Sequence, residues 1–157
     1  MNRFRNILCV VAPDTAIESA LEAALNLAAK NGARLTVLDV VPGLPAGASL
    51  PPGLPSVSEL QAGWMDERRR ALEARLAPWR EQLDLRVEET SGRRFLQVIR
   101  SVLRNDHDLV LKTAENPDWA SRLLGSDDMH LLRKCPCPVW LTRPGEPQQY
   151  QSILAAV

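Results

Sequence analysis

One stretch near the end of the chain constrains the fold more than any other. It runs His107-Asp108-Leu109-Val110-Leu111-Lys112, then a polar loop, then Gly125-Ser126-Asp127-Asp128-Met129-His130-Leu131-Leu132-Arg133-Lys134-Cys135-Pro136-Cys137-Pro138-Val139-Trp140-Leu141. The apolar run Asp108 to Leu111 is too short for a helix and apolar enough to be buried on both faces, as parallel strands are. Gly125-Ser126-Asp127 opens a helix, with Ser126 or Asp127 as N-cap and the acids at its positive end. Met129, Leu131 and Leu132 give that helix an apolar side. Pro136 and Pro138 stop it, and Val139 to Leu141 resumes an extended run. A glycine turn feeding a helix N-terminus, just past the carboxyl end of a parallel strand, is where open α/β sheets bind anions.

The rest of the chain repeats this alternation. Asn6 to Val11 is short and apolar, a central parallel strand. Pro13-Asp14-Thr15 ends it. Ile17, Leu21, Ala24, Leu25 and Ala28 then recur at helical spacing, and Asn31-Gly32 is a C-terminal stop. Leu35 to Val41 is a second strand, so the first two strands are parallel with a right-handed crossover. Pro42 to Pro55 is a proline- and glycine-rich loop, long enough to suggest a lid or an insertion. Ser56 starts a helix reaching about Ala77, with Leu60, Trp64, Met65, Leu72 and Leu76 on its apolar side. Leu83 to Thr90 alternates in the manner of a strand nearer a sheet edge. Ser91-Gly92 is a turn. Phe95, Val98, Ile99, Val102 and Leu103 define the next helix, closed by Asn105-Asp106. Five strands alternating with four helices make a doubly wound α/β parallel sheet.

Composition narrows the function. The 157 residues suffice for one domain that covers roughly two-thirds of its unfolded surface on folding. With 19 basic and 19 acidic residues the net charge is zero, which argues against a nucleic-acid or acidic-membrane partner. The arginines cluster in Arg68-Arg69-Arg70 and Arg93-Arg94, expected to be a solvated helix face and a helix start. Three cysteines, no secretory leader pattern and no apolar run of about 18 residues point to a cytoplasmic protein with reduced thiols.

The segments "HDLVLK" and "GSDDMHLLRKCPCPVW" resemble the universal stress protein family, most closely its E-type class, in which two such domains are joined in tandem. The match in element order covers essentially the whole chain. The resemblance implies a three-layer sandwich of the Rossmann-like, adenine-nucleotide α-hydrolase type, with strand order 3-2-1-4-5. It also implies a stress-response binding or signalling module rather than an enzyme.

Nucleotide-binding members of that family carry an acidic residue at the end of the first strand. They also carry Gly-x-x-Gly, nine residues, then Gly-Ser or Gly-Thr. Registered on Gly125-Ser126, the two earlier glycines fall at Lys112 and Glu115, and the acidic position falls at Ala12. A side chain at Lys112 limits backbone approach to a phosphate, Glu115 adds a negative charge, and Ala12 removes an acceptor. No cofactor is therefore expected. The alternative that the resemblance implies is a nucleotide-binding domain with weak ATPase activity, with ATP among Val11, Ala12, Pro13, Val40, Lys112, Glu115, Gly125, Ser126 and Asp127.

Family members commonly pair their last strand with its counterpart in another domain. Val139, Trp140, Leu141 and Thr142 would be that strand, and the expected partner is a second copy or a tandem second domain. The tail supports the tandem. Gln149-Tyr150-Gln151-Ser152-Ile153-Leu154-Ala155-Ala156-Val157 echoes Arg3-Phe4-Arg5-Asn6-Ile7-Leu8-Cys9-Val10-Val11. The expected division is a domain over residues 1–143, then a linker and the first strand of a second repeat over 144–157, with Pro144-Gly145-Glu146-Pro147 at the boundary.

Other chemistry is sparse. His130, Cys135 and Cys137 do not have a zinc-site spacing. Cys135-Pro136-Cys137 is expected to turn its two thiols to opposite faces and hinder chelation, leaving structural cysteines. His107 has neither a nucleophile nor a polarising partner nearby in sequence, so it is read as a turn histidine. Trp64, Trp79, Trp119 and Trp140 are expected in core and interface packing. An apolar-ligand cleft over strands one and four is the alternative.

Overall fold

The computed structural model describes residues 3–11, 17–43, 51, 53, 55–114 and 127–143. The elements are β1 (Asn6–Val11), α1 (Ile17–Asn31), β2 (Arg34–Val41), α2 (Val57–Leu76), β3 (Leu85–Ser91), α3 (Arg94–Asn105), β4 (Leu109–Thr113), α4 (Asp127–Lys134) and β5 (Val139–Thr142). A single 3-10 turn, Ala77–Trp79, follows α2. All four strand pairings are parallel and the order is β3-β2-β1-β4-β5, as the resemblance implied. The proline-rich loop, Trp119 and the tail after Arg143 lie wholly or largely outside the described residues.

Strand alternation builds two cores. Ile7, Cys9 and Val11 point to one face of β1 and pack with α1 and with Leu72 and Leu76 of α2. Leu8 and Val10 point to the other and pack with Val98 and Val102 of α3 and Leu131 of α4. Burial on both faces explains why β1 and β4 are continuous apolar runs. The start of β1 is tied to the α3–β4 turn. The Asp108 carboxylate accepts from the backbone N–H groups of Arg5 at 2.7 Å and Asn6 at 3.1 Å, and the Asn6 amide donates to the Asn105 carbonyl at 2.7 Å.

Two helix termini follow from local chemistry. Gly32, just past α1, takes φ +58°, a left-handed conformation that glycine adopts without strain. At α2 the Ser56 side chain accepts from the Glu59 N–H while the Glu59 carboxylate accepts from the Ser56 N–H, a reciprocal capping box. Ser56→Ala is expected to cost about 1 kcal/mol. Urea denaturation measures this, and an unchanged midpoint would show that the cap carries no stability.

The structure departs from the sequence expectations on the helix faces. Of the five apolar residues assigned to one side of α2, only Leu72 and Leu76 are buried. Trp64 is 54% exposed, and on α3 Leu103 is 65% exposed. An edge position explains α2, because it packs over β3, where the sheet ends. β4 runs two residues past Leu111, through Lys112 and Thr113, both buried. Among the described residues no helix is long and apolar enough to cross a membrane.

Candidate functional site

β1 leads to β2 on one side, and β4 lies on its other side. Such a reversal opens a crevice at the carboxyl ends of the two strands. Val11 ends β1, Lys112 lies near the end of β4, and Asp127 opens α4. Val40 on β2 and Val11 are both core residues, in opposite layers of the sandwich. Ala12, Pro13, Glu115, Gly125 and Ser126 lie outside the described residues.

The crevice holds a built-in ion pair. The Lys112 ammonium donates to the Asp128 carboxylate in the first turn of α4, and to the Thr113 carbonyl at 3.4 Å. The two side chains are 4% and 9% exposed. A lysine buried near the end of an apolar strand requires such a partner. A carboxylate at a helix N-terminus is where the helix dipole favours one. So the anion facing the start of α4 is supplied by the chain itself. Nothing in the sequence reading singled out Asp128. A charge inside an apolar strand was the available signal, since it demands a counter-charge wherever it folds.

A second ion pair was also missed. The Arg68 guanidinium donates to Asp39 through Nε at 2.8 Å and Nη2 at 2.5 Å, a two-point grip on a carboxylate buried in β2. The expectation that the arginine cluster is a solvated face therefore fails for Arg68. Glu89 lies beside Asp39 on β3, and burial holds its carboxyl above the usual range despite the opposing charge of Arg69. Next to this pair, a cavity of about 460 Å³ opens between the end of β2 and α2, walled by Val41, Pro42, Trp64, Arg68 and Ala71. It does not lie over β1 and β4, where the apolar-ligand alternative placed its cleft. Trp79 and Trp140 pack against the core on the α1 side, as expected of packing residues.

β5 is an edge strand. The carbonyls of Pro138 and Thr142 accept from the Val110 and Ala114 N–H groups of the β4 segment, at 3.0 and 2.8 Å. Alternation along the strand then turns the backbone groups of Val139 and Leu141 toward the outer edge. No described strand pairs there.

The cysteines are not arranged as expected. The sulfurs of Cys135 and Cys137 lie 3.7 Å apart and are both half-buried. Residues two apart on an extended chain share a face, so the opposite-face expectation was a wrong use of the strand period. Cys9 is sealed in β1, and burial pushes its thiol up to about 12. His107 is buried at the start of β4, and burial holds its imidazole below the ordinary value. Among the described residues there is no cluster of three or more His, Cys, Asp or Glu side chains that could hold a metal ion.

A five-stranded parallel sheet with helices on both faces and a short helix opening beside β4 defines a Rossmann-like α/β domain. Residues 3–143 match the sequence pattern of the universal stress protein family. The chain belongs to that family. It is 26% identical over 160 aligned residues to universal stress protein E of Photorhabdus laumondii, covering 100% of this chain and 51% of that protein. The chain thus spans about half the length of this relative. Among solved structures it resembles universal stress protein UspA from Lactobacillus plantarum, with a TM-score of 0.72 and 26% identity over 90% of this chain and 99% of that one. A universal stress protein solved in complex with cAMP superposes with a TM-score of 0.60 at 16% identity, covering 90% of this chain and 98% of that one.

Proposed function

We propose that this universal stress protein domain is a non-catalytic, cytoplasmic stress-response module that acts by association. Its β5 edge pairs with a second copy, or with a second universal stress domain on the same polypeptide. The observation that carries the reading is the outward-turned backbone of Val139 and Leu141 on an edge that no described strand covers. The greater length of the Photorhabdus relative supports a second domain.

The Lys112–Asp128 pair supports a crevice that does not grip a triphosphate. The cation that would meet a phosphate is already neutralised, and a phosphate would meet the Asp128 carboxylate. The described residues of the crevice therefore do not favour ATP. The neighbour solved with cAMP argues the other way only at the level of fold.

Leu141→Pro tests the pairing cleanly, because the N–H it removes points away from β4. Sedimentation is expected to show a dimer for the parent chain and a monomer for the variant. Equal masses would end pairing between copies of this chain. Titration calorimetry with magnesium-ATP is expected to show no binding, and micromolar affinity would overturn the reading of the crevice.

One observation favours a second reading, a small apolar ligand. The cavity beside Trp64 has a volume in the range of ligand pockets, and the indole on its wall is more than half exposed. Native mass spectrometry of protein taken directly from cells would reveal such a passenger.

A further inference from the structure

Cys135 closes the last turn of α4, its N–H donating to the Leu131 carbonyl at 2.9 Å, and Cys137 stands two residues before β5. Neither belongs to the crevice or to the pairing edge. Their side chains pack against the core on the α3 side without being sealed in it.

We propose that Cys135 and Cys137 form an oxidisable dithiol, a modification site that a hydroperoxide converts to an intrachain disulfide. The geometry is close to the product. The sulfurs are 3.7 Å apart. A disulfide needs about 2.05 Å between sulfurs and Cα atoms no more than about 6.8 Å apart. A fully extended chain would place these Cα atoms about 6.6 Å apart, and the bend at Pro136 and Cys137 draws them closer. Rotation about the two Cα–Cβ bonds is the main movement required.

The two thiols also have different roles. A hydrogen bond between the two sulfurs holds the Cys135 thiol below its ordinary value, which makes Cys135 the more readily ionised of the pair. Cys137 is pushed up by that same hydrogen bond, by burial, and by the neighbouring Cys135 and Asp108 charges. The Cys135 thiolate attacks the outer oxygen of the hydroperoxide. An S–O bond forms, the O–O bond breaks, and the alcohol or water departs with a proton from solvent. The Cys135 sulfenic acid is then attacked by the Cys137 sulfur. An S–S bond forms, the S–O bond breaks, and the departing hydroxide takes the Cys137 proton as water. Two thiols lose two electrons and the peroxide gains them. A ring this small is strained, which makes the disulfide labile to the thiol pool and therefore reversible.

The test uses the full chain, reduced and then treated with an equimolar amount of hydrogen peroxide. The tryptic peptide that begins at Cys135 contains both cysteines. It is expected to lose the mass of two hydrogens, to resist alkylation, and to regain both thiols with dithiothreitol, while Cys9 remains a thiol. In Cys137→Ser a dimedone-reactive sulfenic acid should accumulate on Cys135. In Cys135→Ser peroxide consumption at pH 7 should fall about tenfold, since the more readily ionised thiol is gone. Circular dichroism checks that both variants fold, and the peptide measurement on the unsubstituted chain stands without them. Disulfides only between chains, separate sulfinic acids on the two cysteines, or equal consumption by Cys135→Ser would each overturn the assignment. None of these outcomes depends on whether β5 pairs.

Discussion

Asp128→Ala is expected to cost about 3–5 kcal/mol, the scale of breaking a buried ion pair by removing one partner. The substitution strips a counter-charge from an ammonium that is 4% exposed near the end of β4. Its low-dielectric surroundings cannot replace what the carboxylate supplies. The double replacement Lys112→Leu with Asp128→Leu should be far milder, because two apolar side chains remove both charges together. Replacing buried pairs in this way is often neutral or stabilising. Urea unfolding of the parent, both single variants and the double variant measures the coupling directly. If Asp128→Ala behaved like an ordinary surface change, within about 0.5 kcal/mol, the pair would not be the buried unit described here. The reading of the crevice would fall with it.

The second large effect lies in the core. Leu8→Ala should cost about 3 kcal/mol or more, as the lost transfer energy adds to that of the cavity left behind. Leu8 is fully buried on the central strand, packed among Val98, Val102 and Leu131. Neighbours on both sides of β1 leave the site little room to collapse. Leu103→Ala is the control. It is the same chemical change at a residue 65% exposed on α3, and it should fall within about 0.5 kcal/mol of the parent. The denaturation midpoints should separate while the slope stays constant. Equal midpoints would contradict the burial of either residue.

Much of the fold was legible because parallel strands advertise themselves. Asn6 to Val11 and Leu109 to Leu111 are apolar without alternation, as burial on both faces requires. Leu85, Arg86 and Val87 alternate apolar and polar, and they open an edge strand. Ser56 with Glu59, and Gly32, mark helix ends through bonds made within a few residues. The helix faces were harder. A helix at the margin of the sheet exposes residues that its periodicity would bury, as Trp64 on α2 shows.

Sequence by itself determined the order of elements, the capped helix ends and the character of each strand, because those depend on neighbours three or four residues away. Only the tertiary structure decided the partners of the buried charges. Lys112 meets Asp128 across 16 residues, and Asp39 meets Arg68 across 29. The physical reason is that a buried charge states that it needs an opposite one but not where that one is. Several acids and arginines in this chain would have served, and the fold selected among them by bringing Asp128 of α4 to Lys112 and Arg68 of α2 to Asp39.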